Sequence, residues 1–194
     1  MQVSSGCAAT LAIVLGQKLF VANVGDCPAF LSYRSADGGA AVTSLSISHS
    51  LQNEDERLRL LHLGYTEPAS AESGLGPHGY TRCLGNYPVK GGYKEIPQLA
   101  VCSDDPVTAE PEITGPITIS EDLELLVITT ASLLAALERC GAREPRRELA
   151  ALLLRHLEEE PGSSVASVAQ CTVDHVVRMY TEREEVDTTS LIQV

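Results

Sequence analysis

Apolar runs in the first fifty positions predict an antiparallel β-sheet. The strand-length runs are Ala8–Leu15, Lys18–Val24 and Ala29–Arg34. Gly16-Gln17 separates the first two runs, and a two-residue connection that begins with glycine is typical of a tight hairpin. Gly38-Gly39 permits another reversal of the chain, so Ala41–Ile47 is predicted to form a further strand.

Apolar residues at helical spacing predict one short helix and, later in the chain, a group of helices. Asn53 with Glu56 three positions on resembles a capping box, and Gly64 favours an end to the short helix. The later helices carry stripes of leucine, alanine and valine. They are predicted over Ser132–Glu138, Glu148–Glu160 and Ser164–Tyr180.

The remaining segments complete the predicted architecture. Leu123–Thr129 is a near-continuous apolar run, as expected of a central strand covered on both faces, and Thr189–Val194 is predicted to form a last strand. Residues 65–120 are rich in glycine and proline, which predicts loops and short strands. Strands followed by a separate group of helices favour an α+β fold, with residues 1–194 forming one domain.

Composition restricts the partners. The net charge is −12, so a nucleic acid or an anionic membrane would be repelled at long range. The chain has no run of about 18 apolar residues, and its first residues lack the pattern of a signal peptide. These features predict a cytoplasmic protein that binds neither nucleic acid nor membrane.

Cysteine and histidine spacing gives no sign of a metal site or of covalent catalysis. The six cysteines contain no Cys-x-x-Cys pair, which argues against a zinc site and against a secreted disulfide framework. No two histidines lie at His-x-x-x-His spacing, so none is a persuasive zinc ligand. Asp26 is expected to raise the pKa of the adjacent Cys27 thiol, opposite to what a nucleophile requires.

A set of short motifs in order along the chain resembles one enzyme family. The motifs are Gly6–Thr10, Leu19–Asp26, Ser48-His49, Thr81–Gly85 and Ala109–Ile113. They are similar to motifs of the metal-dependent PP2C-type (PPM) serine/threonine phosphatases, whose second motif is a strand ending in Ala-Asn-x-Gly-Asp-Ser-Arg. The resemblance implies an antiparallel PP2C-like β-sandwich flanked by helices, from which this chain is expected to lack the N-terminal third.

The resemblance also implies a chemistry and the loss of most of its ligands. Family members hold two Mg²⁺ or Mn²⁺ ions with carboxylates, and such hard ions need several oxygen ligands. A family ligand carboxylate corresponds to Ala131, and the aspartates of two further motifs correspond to Ser48 and Asn86. Asp26 and Asp187 remain as vestigial metal-ligand candidates, although both residues also suit an ordinary turn. No catalytic or cofactor-binding residue is therefore assigned, and no cofactor is expected.

A closer resemblance points to one branch of the family. Four segments are similar to the pseudophosphatase branch represented by the adaptor of the TGF-β-activated kinase. They are Asn53–Glu56 with Leu60–Gly64, Val89–Tyr93, Ala109–Ile113 and Val168–Asp174. This resemblance implies a catalytically inactive signalling adaptor that binds a protein kinase of the MAP3K type. Arg82 is expected to form a salt bridge, with a phosphate contact as the other possibility.

Two further hypotheses stay open. The first is a working Mg²⁺/Mn²⁺-dependent serine/threonine phosphatase, with ligands supplied by a longer isoform or by Asp104, Asp105 or Glu124. The second is an incomplete product with little independent stability, because absent strands would leave a sheet edge open. Metal-dependent turnover separates the first hypothesis from the adaptor, and the absence of a cooperative thermal transition would indicate the second.

Overall fold

The computed structural model describes residues 5–34, 40–66, 75 and 79–191, with side chains described as far as residue 183. The chain divides into two compact units. The first consists of residues 1–29 and 44–119, and the second of residues 30–43 and 120–194. The observed mixture of strands and a late group of helices confirms the predicted α+β class.

The first unit contains a three-stranded antiparallel sheet in the order β2–β3–β7. Its strands are β2 (Ala9–Leu15), β3 (Lys18–Val24) and β7 (Glu112–Thr118). Leu15 pairs with Lys18, so β2 and β3 form the predicted hairpin at Gly16-Gln17. In the central strand, Leu19, Val21 and Asn23 alternate with less buried residues and face the interior. β7 is a full-length strand within the segment predicted to contain loops and short strands.

The rest of the first unit packs short elements against helix α1, which spans Glu54–His62. Asn53 caps this helix as predicted, because its side chain accepts a hydrogen bond from the backbone N–H of Asp55. The capping-box prediction for Glu56 is wrong, since that side chain is buried and bonded elsewhere. The short elements are β1 (Gly6–Cys7), which pairs with β6 (Leu84–Gly85), and 3₁₀ turns at Tyr87–Val89 and Tyr93–Glu95.

The second unit contains a three-stranded sheet in the order β5–β4–β8 and three helices within the described residues. The strands are β4 (Ala29–Arg34), β5 (Ala40–Ser44) and β8 (Leu123–Ile128); the helices are α2 (Ala131–Arg139), α3 (Pro145–Glu159) and α4 (Val165–Leu191). Its core includes Phe30 from β4, Leu137 from α2 and Val176 from α4, none of which has exposed surface. No helix of the described residues has the length and apolar character needed to cross a membrane.

Two sequence predictions for the second unit are wrong. β8 is an outer strand of its sheet, and Leu126 and Ile128 are 38% and 45% exposed, so the strand is not covered on both faces. The predicted last strand at Thr189–Val194 is replaced by helix α4 through Leu191, and residues 192–194 lie outside the described part of the chain. The β-branched residues near the end of α4 favoured a strand, but this propensity is weak compared with continuation of an existing helix.

Candidate functional site

Asp26 lies in the turn after β3, at the position that the sequence resemblance marks as a metal-ligand candidate. The turn requires glycine at position 25, where φ is +95° and a Cβ atom would stand 2.6 Å from the Ala8 Cβ. The Asp26 side chain is partly exposed at the end of the strand. The backbone therefore presents one carboxylate beside a closely packed glycine.

Asn23 and His49 hold this turn in place from beneath. The buried Asn23 side chain donates to the carbonyl oxygens of Gly25 and Ile47 at 3.2 and 3.0 Å, and it accepts from the Thr10 hydroxyl at 2.7 Å. The His49 Nδ1 atom accepts from the Gly25 N–H at 3.0 Å. All four bonds are internal to the protein, so the turn keeps its shape without any bound ion.

His49 is fixed as one neutral tautomer. Because Nδ1 accepts a hydrogen bond, the proton of the neutral ring lies on Nε2, which is 3.2 Å from the Glu112 Oε2. The ring is almost completely buried, and burial together with the Arg82 charge lowers the pKa of His49 below its ordinary value of 6.5. The arrangement orients the turn, and both nitrogens of the ring are already occupied.

Glu56 is the centre of a buried charge network. Its Oε1 accepts from Arg82 Nε at 3.0 Å and Nη2 at 2.6 Å, while its Oε2 accepts from Arg59 Nη2 at 3.0 Å and from the Thr81 hydroxyl at 2.5 Å. Burial alone would raise the pKa of Glu56, but the hydrogen bonds from Arg82, Thr81 and Arg59 lower it to about 2. Glu56 is therefore a permanently ionised anchor at neutral pH.

Both arginines of the network are committed to protein acceptors. Besides Glu56, Arg82 Nη1 donates to the Glu110 carbonyl at 3.1 Å, and Arg59 Nη2 also reaches the Pro106 carbonyl at 2.9 Å. The hydrogen bonds to Glu56 raise the pKa of Arg82 further. The salt bridge predicted for Arg82 is confirmed. The network joins α1 to two loop segments and engages both guanidinium groups with protein acceptors.

The predicted metal-ligand positions lie on different elements of the structure. Ala131 is the first residue of α2, directly after Thr130 as its N-cap, and its methyl group offers no ligand atom. Asp187 lies within α4, and its side chain is outside the described residues. Across the residues whose positions are described, no group of three or more histidine, cysteine or acidic side chains could hold a metal ion. These residues do not fit a two-metal site.

The other acidic candidates have different roles. Asp104 is exposed and its Oδ1 accepts from the backbone N–H of Asp105 at 2.8 Å, as in an ordinary turn. Glu124 forms an ion pair with Arg34 at 2.8 Å. Neither arrangement gathers further oxygen ligands around a common point.

Two cysteines, Cys27 and Cys102, have thiol pKa values above the ordinary value. The pKa of Cys27 is raised by burial and by the neighbouring Asp26 charge, as the sequence predicted. Burial also raises the pKa of Cys102. A nucleophilic thiolate requires the opposite shift, so the geometry supports no covalent chemistry at Cys27.

Sequence reasoning missed two groupings that the structure brings together. The sequence predicts a capping role for Glu56, although two arginines within 26 positions could have suggested a buried ion network. His156 and His175 lie on α3 and α4 with their ring centres 5.7 Å apart, and their separation along the chain matches no short metal-binding motif. Only the three-dimensional pairing of two helices reveals this contact.

Comparisons with known proteins agree on one family. Residues 1–144 match the family model described as protein phosphatase 2C. The chain is 35% identical over 126 residues to the probable protein phosphatase 2C 13 of Arabidopsis thaliana, which covers 64% of this chain and 29% of that protein. It is 32% identical over 182 residues to the probable protein phosphatase 2C 43 of the same plant, covering 87% of this chain and 40% of that protein.

Solved structures give the same fold. The serine-threonine phosphatase 2C of Toxoplasma gondii superposes with a TM-score of 0.58 at 13% identity, covering 87% of this chain and 52% of that chain. A sex determining protein of C. elegans superposes with a TM-score of 0.56 at 17% identity, covering 84% and 34%. At such identities the likeness establishes architecture alone. The chain spans less than half the length of the two Arabidopsis relatives. Because residues 1–144 match the family model, the chain belongs to the protein phosphatase 2C family.

Proposed function

We propose that this chain works as a non-hydrolytic PP2C-family module that binds a protein in signalling, with a protein kinase as the partner. The observation that carries the proposal is Ala131. Where the sequence motif of the family has a ligand carboxylate after a strand, this chain places a methyl group at the first turn of α2. Losing one oxygen ligand weakens a hard divalent site steeply, because such ions depend on charged oxygen donors.

The state of the remaining polar groups supports the same proposal. Glu56, Arg59 and Arg82 satisfy one another within the protein, and His49 uses both ring nitrogens on Gly25 and Glu112. A hydrolytic site needs donors and acceptors that are free to meet substrate, water or metal. The kinase as partner follows from the motif resemblance to the pseudophosphatase branch, and fold alone does not assign it.

A phosphatase is the second candidate, and two observations favour it. The relatives bear the name protein phosphatase 2C, and Asp26 keeps its place on the glycine turn after β3. In that reading the Asp26 carboxylate would ligate Mg²⁺ or Mn²⁺, and the metal would supply charge stabilisation and an activated water. The residues described in this chain would contribute that carboxylate and a rigid turn beneath it.

Two measurements on the 194-residue chain separate the candidates. The first is hydrolysis of a phosphothreonine peptide in the presence of Mn²⁺, with Asp26→Asn as a matched variant. The proposal expects no turnover above the buffer rate in either protein. Turnover that Asp26→Asn abolishes would establish the phosphatase and overturn the proposal.

The second measurement is binding of purified MAP3K-type kinase domain, with a kinase of an unrelated group as the control. Saturable binding to the first kinase alone is the expected result.

An Ala131→Asp variant tests the assigned ligand position by calorimetry with Mn²⁺. Because an acid at a helix N-terminus is stabilising, this variant should fold, and it should bind Mn²⁺ more tightly than the unaltered chain. Unchanged affinity would remove Ala131 from the argument.

A further inference from the structure

Strand β2 forms one outer edge of the sheet in the first unit. Leu15 pairs with Lys18 across the two-residue turn, so these two residues exchange backbone hydrogen bonds, and bonded positions recur at every second residue of β2. The N–H and C=O groups of Thr10, Ala12 and Val14 therefore point away from β3. Among the described residues, these groups have no backbone partner.

This edge carries none of the features that usually prevent strands from pairing. Proteins protect outer strands by short length, charged side chains, prolines or bulges. β2 is seven residues long and contains no charged residue and no proline, and its pairing with β3 has no register shift. The opposite outer strand, β7, contains Glu112 and Pro116, and its register with β3 is interrupted. The contrast indicates that β2 is an open edge and that β7 is a protected one.

The sequence of β2 is complementary to a second copy of itself. In antiparallel pairing about a two-fold axis at Ala12, the strand overlaps its copy along its whole length, and Thr10 lies opposite Val14 of the copy. Leu11 then lies opposite Ile13 of the copy in a non-bonded pair, where side chains approach most closely. Leu11 is 57% exposed in the single chain and Ile13 is 44% exposed, so both side chains have apolar surface to bury.

Charge favours the same contact. The chain has a net charge of −12, so two copies repel each other at long range. Residues 8–17 contain no charged side chain, and the first charged residue after them is the cation Lys18. Pairing through β2 therefore brings two copies together along a segment that adds no like-charge contact between acids.

We propose that two copies of this chain associate through their β2 strands and form a continuous six-stranded antiparallel sheet across a two-fold axis at Ala12. The same edge is used by both copies, so the contact closes the assembly at a dimer. The interface consists of one strand edge from each copy, and the dimer is accordingly weak and dependent on concentration. This surface does not depend on the proposed kinase partner.

Sedimentation velocity of the 194-residue chain, from low micromolar to several hundred micromolar, tests the dimer. The apparent mass should rise from 20.7 kDa towards twice that value. Ala12→Pro should keep the single-chain mass, because proline removes the outward N–H while the bonds from β2 to β3 use other residues. Ile113→Lys is the matched control and should dimerise like the unaltered chain. Ile113 is 67% exposed on the same face of the sheet as Leu11, but it lies on β7.

A pair of charge variants tests the register and does not depend on whether Ala12→Pro folds. Leu11→Lys and Ile13→Glu each place a charge against an apolar side chain of the copy, so each should weaken dimerisation. When the two variants are mixed in equal amounts, their new charges lie opposite each other in the proposed register. The mixed dimer should therefore be about two- to fivefold tighter than the dimer of either variant alone.

Hydrogen exchange gives a residue-level readout. As the dimer forms, exchange of the Ala12 and Val14 amides should slow, whereas exchange of the Leu11 amide, which already bonds to β3, should not change.

Four results would overturn the proposal. The first is a single-chain mass at every concentration, and the second is a dimer of unchanged affinity in Ala12→Pro. The third is loss of the dimer in Ile113→Lys, which would indicate packing between sheet faces instead of pairing between edges. The fourth is a mixed dimer of the two charge variants that is no tighter than the dimer of either variant alone.

Discussion

Replacing Glu56 by glutamine should destabilise the first unit more than any surface charge change. The two oxygens of Glu56 accept hydrogen bonds from donors alone, namely Arg59, Thr81 and Arg82. Glutamine has the same shape, but whichever way its amide is turned, its NH₂ group faces one of these donors. The variant also leaves two guanidinium groups, 25% and 18% exposed, without their counter-ion.

The size of the effect follows from the pKa of Glu56. The network lowers this pKa from its ordinary value of 4.5 to about 2, against a burial effect of opposite sign. At about 1.4 kcal/mol per pKa unit, the ionised form is favoured in the folded state by about 3 kcal/mol. Breaking a buried ion pair by removing one partner costs about 3–5 kcal/mol. We therefore expect Glu56→Gln to lose about 3 kcal/mol of unfolding free energy at pH 7.

The pH dependence has a definite sign. In the unfolded chain Glu56 takes up a proton near pH 4.5, whereas in the folded chain it stays ionised down to about pH 2. The stabilisation is thus fully present above pH 4.5 and is lost as the pH falls from there towards 2. The difference in stability between the unaltered chain and Glu56→Gln should shrink over this interval.

Urea unfolding followed by circular dichroism at pH 7, 4 and 3 measures this difference. Glu144→Gln is the control, because Glu144 and Arg147 form an exposed pair and its loss should cost no more than about 0.5 kcal/mol. Thr81→Val removes one bond to the charged carboxylate and should cost about 1.5–3 kcal/mol, which covers the case in which Glu56→Gln does not fold. A Glu56→Gln loss as small as that of Glu144→Gln would refute the reasoning.

Three further predictions concern the neighbouring turn and the edge of the sheet. In urea unfolding, Gly25→Ala should lower the free energy of unfolding by about 3 kcal/mol or more, since a Cβ atom would collide with Ala8 at 2.6 Å. Gly16→Ala has open space around it, so it should cost only the backbone strain of about 1–2 kcal/mol. Burial and the Arg82 charge lower the pKa of His49, so below pH 6.5 the unfolded chain gains a proton that the folded chain resists. The free energy of unfolding should therefore fall between pH 7 and 5, by at most about 1.4 kcal/mol per pH unit. His49→Asn should flatten this fall. Ile13→Lys on the outer strand β2 should lower aggregation in light scattering without loss of melting temperature, because this side chain is 44% exposed; a large fall in melting temperature would contradict the observed exposure.

The sequence predicted the elements that short-range patterns determine. The β2–β3 hairpin depends on period-two strands and a Gly-x connection, and both lie within 16 residues of the chain. The start of α1 depends on Asn53, whose capping bond is also local. Such features need no knowledge of distant residues, so a single sequence suffices to predict them.

Predictions failed where distant packing decides the outcome. Leu123–Thr129 reads as a strand covered on both faces, but Val127 packs into the core while Leu126 and Ile128 face outward. Composition cannot distinguish an apolar residue that is covered from one that is exposed. The valine stripe of α4 divides in the same way, because Val168 and Val176 are buried whereas Val165 is 80% exposed.

The residues that carry the family match and the residues that carry its chemistry are under different physical constraints. Glu56 and Gly25 support the fold directly, so their replacement costs stability and their presence follows from folding alone. Ala131 is the opposite case: alanine is the best helix former, so at the first position of α2 it has no cost to the fold, whichever residue the family has there. A chain can therefore match the protein phosphatase 2C pattern through its folding residues while its metal-ligand positions change freely. This separation is why similarity to named phosphatases does not establish turnover in this chain, and why turnover has to be measured.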